Sequence, residues 1–216
     1  MKIEQQAHSI VVAGSMNPTI FHPLWFAREG LIPDVEASEA AIEIIHPDVA
    51  GFKTEWLEMQ VTRDRFIAKT KMDAYFEPLR DLVFSTFQIL THAPVKAIGI
   101  NFEFHVSMRR EKRKKLIDYL NNDLFWSALN VAPNFEALIV RLDKEDDRYE
   151  ERYLRAKIQY SPLLRNDGLF FDLNHHLQLV KDIEDFHKFN RMNLPTDKDW
   201  KTIKQEAYDF TKKITQ

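Results

Sequence analysis

Alternating hydrophobic and polar residues predict β-strands in the first third of the chain. Between Phe52 and Val61 one face carries Lys53, Glu55, Leu57, Met59 and Val61, and the other carries Phe52, Thr54, Trp56, Glu58 and Gln60. This period of two residues is that of a strand. The Thr-Arg-Asp turn at 62–64 then leads into Phe66–Thr70. The pattern therefore predicts a strand over 52–61 and a hairpin.

A helical period replaces this alternation after residue 72. Hydrophobic residues recur near 3.6-residue spacing over Asp73–Leu90, at Phe76, Leu79, Leu82, Val83, Phe87 and Leu90. This predicts an amphipathic helix with Pro78 in its first turn. The Ala93-Pro94 pair ends the helix, and Val95–Met108 has the alternation of a long strand. Hairpin, helix and strand together form a β-β-α-β unit.

The second half of the chain predicts similar secondary-structure elements in another order. It predicts a basic helix near 109–121, strands near 135–142, 151–160 and 168–174, and a helix at 182–189. A last helix carries an apolar stripe of Trp200, Ile203, Ala207, Phe210 and Ile214. With strands at 9–13 and 40–45, the prediction is one α+β domain over 1–216. Its largely antiparallel mixed sheet has about eight strands with helices mainly on one face. Two β-β-α-β-like halves that meet near 108–130 are the alternative organisation.

Composition narrows the classes of function. The chain has 216 residues, 44% of them hydrophobic, and a net charge of −3, which argues against a general nucleic-acid coat protein. The absence of cysteine excludes disulfides, thiolate metal sites and a cysteine nucleophile. Five scattered glycines form no phosphate-binding loop, and no cofactor is predicted. Neither a signal peptide nor a membrane span is indicated, so we expect a cytoplasmic protein.

Two polar clusters on predicted strands are candidate metal ligands. Glu103 and His105 share one face of the strand after Pro94, about 6–7 Å apart along the strand. Asp172 and His176 share a face of a later strand, on which neighbouring His175 points the opposite way. These four side chains are weak metal-ligand candidates for a hydrolase. The structural alternative is a polar sheet face whose residues pair with adjacent strands.

Six cations lie within seven residues at the start of the basic helix. They are Arg109, Arg110, Lys112, Arg113, Lys114 and Lys115. Spread around two helical turns, they would project a positive potential that suits nucleic acid or an acidic partner. Pairing with the acidic residues that follow, or simple solvation, is the structural alternative.

Aromatic residues give the last signal. The chain contains 16 Phe, 6 Tyr and 4 Trp, and such residues often anchor interfaces. Phe21, Trp25 and Phe26 lie in a proline-punctuated apolar segment, which predicts an interface if exposed or a clamp over one end of the sheet if buried.

Several segments together carry a resemblance. They are NPTIFHPLWFAREGLIP (17–33), QVTRDRF (60–66), LRDLV (79–83), APVKAIGIN (93–101) and, more weakly, FFDLNHHLQL (170–179). In order and spacing they resemble an uncharacterised family of bacterial hypothetical proteins. The resemblance implies a bacterial, intracellular protein, and the family's patchy distribution is common for mobile or defence-associated cargo. It transfers no catalytic residue, and 109–147 departs from the family pattern.

Three functions stay open on the sequence alone. The lack of a complete catalytic motif and the aromatic load favour a non-enzymatic interaction or assembly protein, either a dimer or a subunit of a larger, defence-related complex. The alternatives are a nucleic-acid-binding accessory protein that uses 109–115 and a metal-dependent hydrolase. No small-molecule substrate is indicated.

Overall fold

One antiparallel sheet organises the molecule. The computed structural model describes residues 2–121, 126, 128, 130, 133–164, 167–180 and 195–216. The strands are β1 (Lys2–Gly14), β2 (Ala41–His46), β3 (Val49–Lys53), β4 (Glu58–Thr62), β5 (Arg65–Thr70), β6 (Val95–Ser107), β7 (Ala137–Asp143), β8 (Glu151–Tyr160) and β9 (Gly168–Gln178). The helices are α1 (Pro23–Arg28), α2 (Asp34–Glu39), α3 (Phe76–Ile89), α4 (Arg110–Asn121) and α5 (Asp197–Thr215), and short 3-10 helices lie at Pro18–Ile20 and Asp73–Tyr75.

The predicted α+β class is confirmed, with two refinements. Nine strands lie in the order β2-β3-β4-β5-β1-β6-β9-β8-β7, and every pairing among the described residues is antiparallel rather than mixed. The single strand predicted over 52–61 is wrong, because Thr54 N donates to Leu57 O and turns the chain between β3 and β4. The helix predicted at 182–189 lies outside the described residues.

Strands β1 and β6 form the centre of the sheet. They pair along nearly their whole length, with Ile10 opposite Ile100. On one side of this pair lies the meander β3–β5, followed by α3; on the other lies the meander β7–β9, followed in the chain by α5. Each side thus contains a central strand, a three-stranded meander and a helix. Strand β2 extends only the first side.

The two faces of the sheet differ in chemistry because residues alternate along each strand. On one face Ile100, Phe102 and Phe104 of β6 are fully buried. Helices cover this face: Phe76 of α3 lies 5.2 Å from Phe102 between ring centroids and stacks on Trp200 of α5 at 4.5 Å. The opposite face carries polar side chains, and the sequence predicted both faces of β6.

Two histidines lie in the apolar, helix-covered core. His8 of β1 is fully buried against Phe76, at 4.4 Å between ring centroids. His175 of β9 is also buried, edge-on to Phe102 at 5.9 Å. Burial lowers the pKa of His8 to about 4 and that of His175 to about 3, so both rings are neutral near pH 7.

An ion-pair network fastens the start of α5 to the turn between β7 and β8. Thr196 and Asp199 form a capping box at the first turn of the helix. Arg148 donates to Asp199 at 2.7 and 2.8 Å and to Asp146 at 2.9 and 3.0 Å. Hydrogen bonds from Arg148 hold the pKa of Asp146 down at about 2 and lower that of Asp199. The network therefore stabilises the fold above about pH 4 and weakens as these carboxylates protonate.

Replacing Arg148 by Met should lower the free energy of unfolding by about 2 kcal/mol, because two half-buried carboxylates lose their shared charged donor. The control is Arg28→Met, which removes an exposed pair with neighbouring Glu29 and should change stability by less than about 0.5 kcal/mol. Urea denaturation followed by circular dichroism measures both variants. Equal effects at the two positions would contradict an anchoring role for Arg148.

Candidate functional site

The polar face brings two of the four metal-ligand candidates together. Glu103 of β6 lies directly opposite Asp172 of β9 in the antiparallel register. Lys69 of β5 reaches across β1 and donates to both Glu103 carboxylate oxygens at 2.8 and 2.9 Å. Burial, with the Glu103 charge as a smaller cause, raises the pKa of Asp172. The Glu103 carboxylate is therefore already neutralised by a lysine, as in a structural ion pair.

The two histidine candidates lie elsewhere on this face. His105 Nδ1 is 2.9 Å from the Ser161 hydroxyl, and its ring stacks on Phe170 at 4.6 Å. His176 is four residues from Asp172, about 13 Å along the strand, and stacks on Tyr153 at 4.6 Å. Among the described residues no group of three or more metal-ligating side chains forms.

Hydrogen bonds continue the polar face across the central strands. Asn174 Nδ2 donates to Asn101 Oδ1 at 2.5 Å, and Asn101 Nδ2 donates to the Ser9 hydroxyl at 3.2 Å. Burial lowers the pKa of His105 and favours its neutral ring. The face is thus a network of side chains that satisfy one another between strands. This arrangement is the structural alternative that the sequence left open.

The basic segment does not form one uniform exposed surface. Arg109, Arg110, Lys112, Lys114 and Lys115 are exposed, whereas Arg113 is only 8% exposed and its Nη1 has no acceptor among the described residues. Within that part of the chain none of the six cations forms an ion pair. The intramolecular pairing with acidic residues that the sequence left open is therefore not seen there.

The aromatic segment closes one end of the core. Phe21 and Phe26 are buried, at 5.4 Å from Phe66 and 5.6 Å from Phe52 between ring centroids. Trp25 is partly buried and packs edge-on against Phe26 at 4.9 Å. Phe21 and Phe26 thus fill the core and offer no surface to a partner, which corrects their prediction as interface residues. The buried clamp, the other outcome expected for this segment, is what the fold contains.

The exposed apolar surface lies at the edge strand β2 instead. All six residues of β2 are exposed, and Ile42, Ile44 and Ile45 have 51%, 43% and 55% of their surface accessible. The outer backbone edge of β2 ends the sheet. Sequence reasoning placed a strand at 40–45 but missed this surface. The sequence of Ala41–His46 contained an indication of it. Its three isoleucines, at 42, 44 and 45, lie on both faces of the strand, whereas a half-buried strand would carry polar residues on one face.

The opposite edge of the sheet is built differently. In β7, Arg141 pairs with Asp143 at 2.5 Å and with Glu151 of β8 at 3.2 Å. Charged side chains of this kind discourage strand pairing at an edge. Strand β7 still exposes Ile139, at 52%. Strand β2 also carries an ion pair, between Glu43 and Lys53 of β3 at 2.8 Å, so the two edges differ chiefly in the three isoleucines that β2 exposes.

In the part of the chain that the structure describes, the fold is an antiparallel α+β sheet with exposed isoleucines on the edge strand β2 and exposed cations on α4. No protein-family model matches this chain, and no curated protein matches it. Among the described residues no helix is long and apolar enough to cross a membrane.

Proposed function

We propose that this protein is a non-enzymatic interaction protein that forms a homodimer through strand β2. The observation that carries the proposal is the edge itself, which combines an unpaired backbone with three exposed isoleucines. An open strand edge binds another strand by main-chain hydrogen bonds, while its side chains supply specificity. A dimer of this kind could also be a subunit of a larger bacterial, defence-related assembly.

The sequence of β2 suits pairing with a second copy. Ile42 and Ile45 lie opposite Phe52 and Ala50 of β3, two core residues, so both isoleucines lean toward the helix-covered face. In an antiparallel pair centred between Glu43 and Ile44, Ile42 of each copy lies opposite Ile45 of the other. Such a two-fold interface buries four isoleucines beside the existing core. It also separates the two Glu43 side chains instead of placing them opposite each other.

The test is the mass of the protein in solution. We expect light scattering coupled to size exclusion to give twice the 25.6 kDa chain mass at micromolar concentrations. Ile45→Lys should shift the protein to a monomer, because it places a charge opposite Ile42 of the other copy, beside the apolar core. Its circular dichroism spectrum should not change, since residue 45 is exposed.

Ile139→Lys is the matched control, because it introduces the same charge at a similarly exposed isoleucine on the other edge strand. This variant should remain a dimer. A monomeric wild-type protein up to about 100 µM would overturn the proposal. Dissociation by Ile139→Lys and not by Ile45→Lys would move the interface to β7.

A further inference from the structure

A buried arginine on α4 lacks an acceptor. Arg113 is more than nine-tenths buried, and no described residue accepts a hydrogen bond from its Nη1. A guanidinium keeps its charge at all accessible pH values. A buried charge without a partner is strongly unfavourable, so native proteins normally supply an acidic group, water or a ligand. The missing partner of Arg113 is therefore an anion or another strong acceptor.

A cavity of about 520 Å³ lies beside this side chain. It lies between α4 and the ends of β8 and β9, and its walls include Arg110, Arg113, Lys114, Tyr160 and Asp167. Ligand sites are commonly about 300–1,000 Å³, so the space is adequate for a nucleotide-sized molecule. Tyr160 is exposed and offers an aromatic ring at the cavity wall.

A second cavity of about 730 Å³ adjoins the first and shares Arg110 and Asp167 with it. Its additional cations are Lys2, Arg109 and Lys112. The walls of both cavities together contain six lysine or arginine side chains and two carboxylates, those of Asp118 and Asp167. Because Lys2 already pairs with Glu4 at 2.7 Å, the pair of cavities has a local excess of three positive charges in a chain whose net charge is −3.

We infer that these adjoining cavities bind the phosphate groups of a nucleotide or of a short single-stranded nucleic acid. Guanidinium groups match the geometry of phosphate oxygens and bind them with two parallel hydrogen bonds. Single-stranded ligands combine such contacts with base stacking on exposed aromatic rings, for which Tyr160 is available. Asp118 and Asp167 are acceptors for sugar hydroxyls or base amino groups. This inference does not depend on the dimer.

The measurement is fluorescence anisotropy of a labelled oligothymidine of about 10 nucleotides. Binding should weaken steeply between about 50 and 200 mM salt, because phosphate contacts release counterions. Arg113→Met should weaken binding roughly ten- to a hundred-fold, since a hydrogen-bonded charge pair is lost. The unliganded variant should be as stable as the wild type or more so, because an unpaired buried charge is removed.

Two adjacent lysines give a matched control that does not disturb the core. Lys114 lines the smaller cavity, whereas Lys115 lines neither, and both are exposed. Lys114→Gln should weaken oligothymidine binding several-fold more than Lys115→Gln, although both remove one charge. This comparison remains valid if Arg113→Met does not fold.

Competition identifies the source of the phosphate. Displacement of the labelled strand by a nucleoside monophosphate at similar concentration supports a nucleotide site, and displacement only by unlabelled oligonucleotide supports a single-stranded nucleic-acid site. No binding at low salt would overturn the inference. Equal losses for Lys114→Gln and Lys115→Gln would also overturn it, because they indicate diffuse attraction to α4 rather than these cavities.

Discussion

Lowering the pH from about 8 to about 4.5 should reduce the free energy of unfolding by about 5 kcal/mol through His8 and His175 alone. The pKa of His8 is lowered from 6.5 to about 4, and that of His175 from 6.5 to about 3. In the unfolded chain both rings take up a proton near pH 6.5. The folded protein resists protonation, so stability that is fully present above pH 6.5 is lost as the pH falls toward the folded-state values.

Burial of the His8 and His175 rings determines that both pKa values are lowered. Asp73 lies 3.3 Å from His8 and opposes the shift, and Lys204 and Glu77 act weakly in opposite directions. At His175, Lys144 and Arg152 reinforce the effect of burial, although Glu206 lies 3.7 Å away. Loss of water around each ring is the larger effect in both cases. Each histidine contributes about 2.5 kcal/mol of the expected change at pH 4.5.

Urea denaturation at a series of pH values measures this loss. The double variant His8→Leu, His175→Leu cannot be protonated at these sites and should lose most of the pH dependence between about 8 and 4.5. His92→Leu is the control, because His92 is exposed in the loop between α3 and β6. It should leave the pH profile unchanged. A wild-type protein equally stable at both pH values would show that neither buried ring matters.

Replacing Trp200 by Ala should destabilise the protein by about 3–5 kcal/mol. Trp200 is fully buried, and it joins α5 to α3 through its stack on Phe76 and an edge contact with Phe84 at 6.1 Å. Removal of the indole leaves a cavity between α3 and α5. The remaining apolar stripe of α5 must then hold the helix with less buried area.

Trp200→Phe is the matched comparison. It retains an aromatic ring against Phe76, and the indole Nε1 has no acceptor within the described residues, so no hydrogen bond to them is lost. We expect the free energy of unfolding of this variant to fall by about 1 kcal/mol, because its side chain is smaller. Urea denaturation followed by circular dichroism gives midpoints that distinguish the two variants. Similar small losses for both substitutions would mean that α5 is held chiefly by Arg148 and the helix cap.

Local periodicity predicted the elements whose burial is regular. The alternation of β6 and the stripe of α5 both appear in the structure, because each element presents a single face to one core. The turn at 54–57 was missed for a physical reason. It contains neither Gly nor Pro, and Leu57 remains buried within it, so the alternation of a strand continues unbroken through a change of direction.

Whether a candidate site residue is buried or exposed depends more on tertiary packing than on the local sequence pattern. Five of the six cations lie on α4 and surround it, and only docking of the helix against the strands determines that Arg113 becomes buried. His8 shares a strand face with Ile10 and Val12, which is a signal of burial that the sequence contained. By contrast, His22 lies at the start of α1, where it accepts from Leu24 N at 3.2 Å.

The central position of β1 bears on how the protein folds during synthesis. The partners of β1 are β5 and β6, which leave the ribosome about 50 and 80 or more residues later. Until Val95–Ser107 has emerged, one edge of β1 lacks its full partner strand. Such long-range pairing slows folding and exposes the nascent chain to aggregation. We therefore expect the N-terminal segment to remain accessible to chaperones until translation has passed β6.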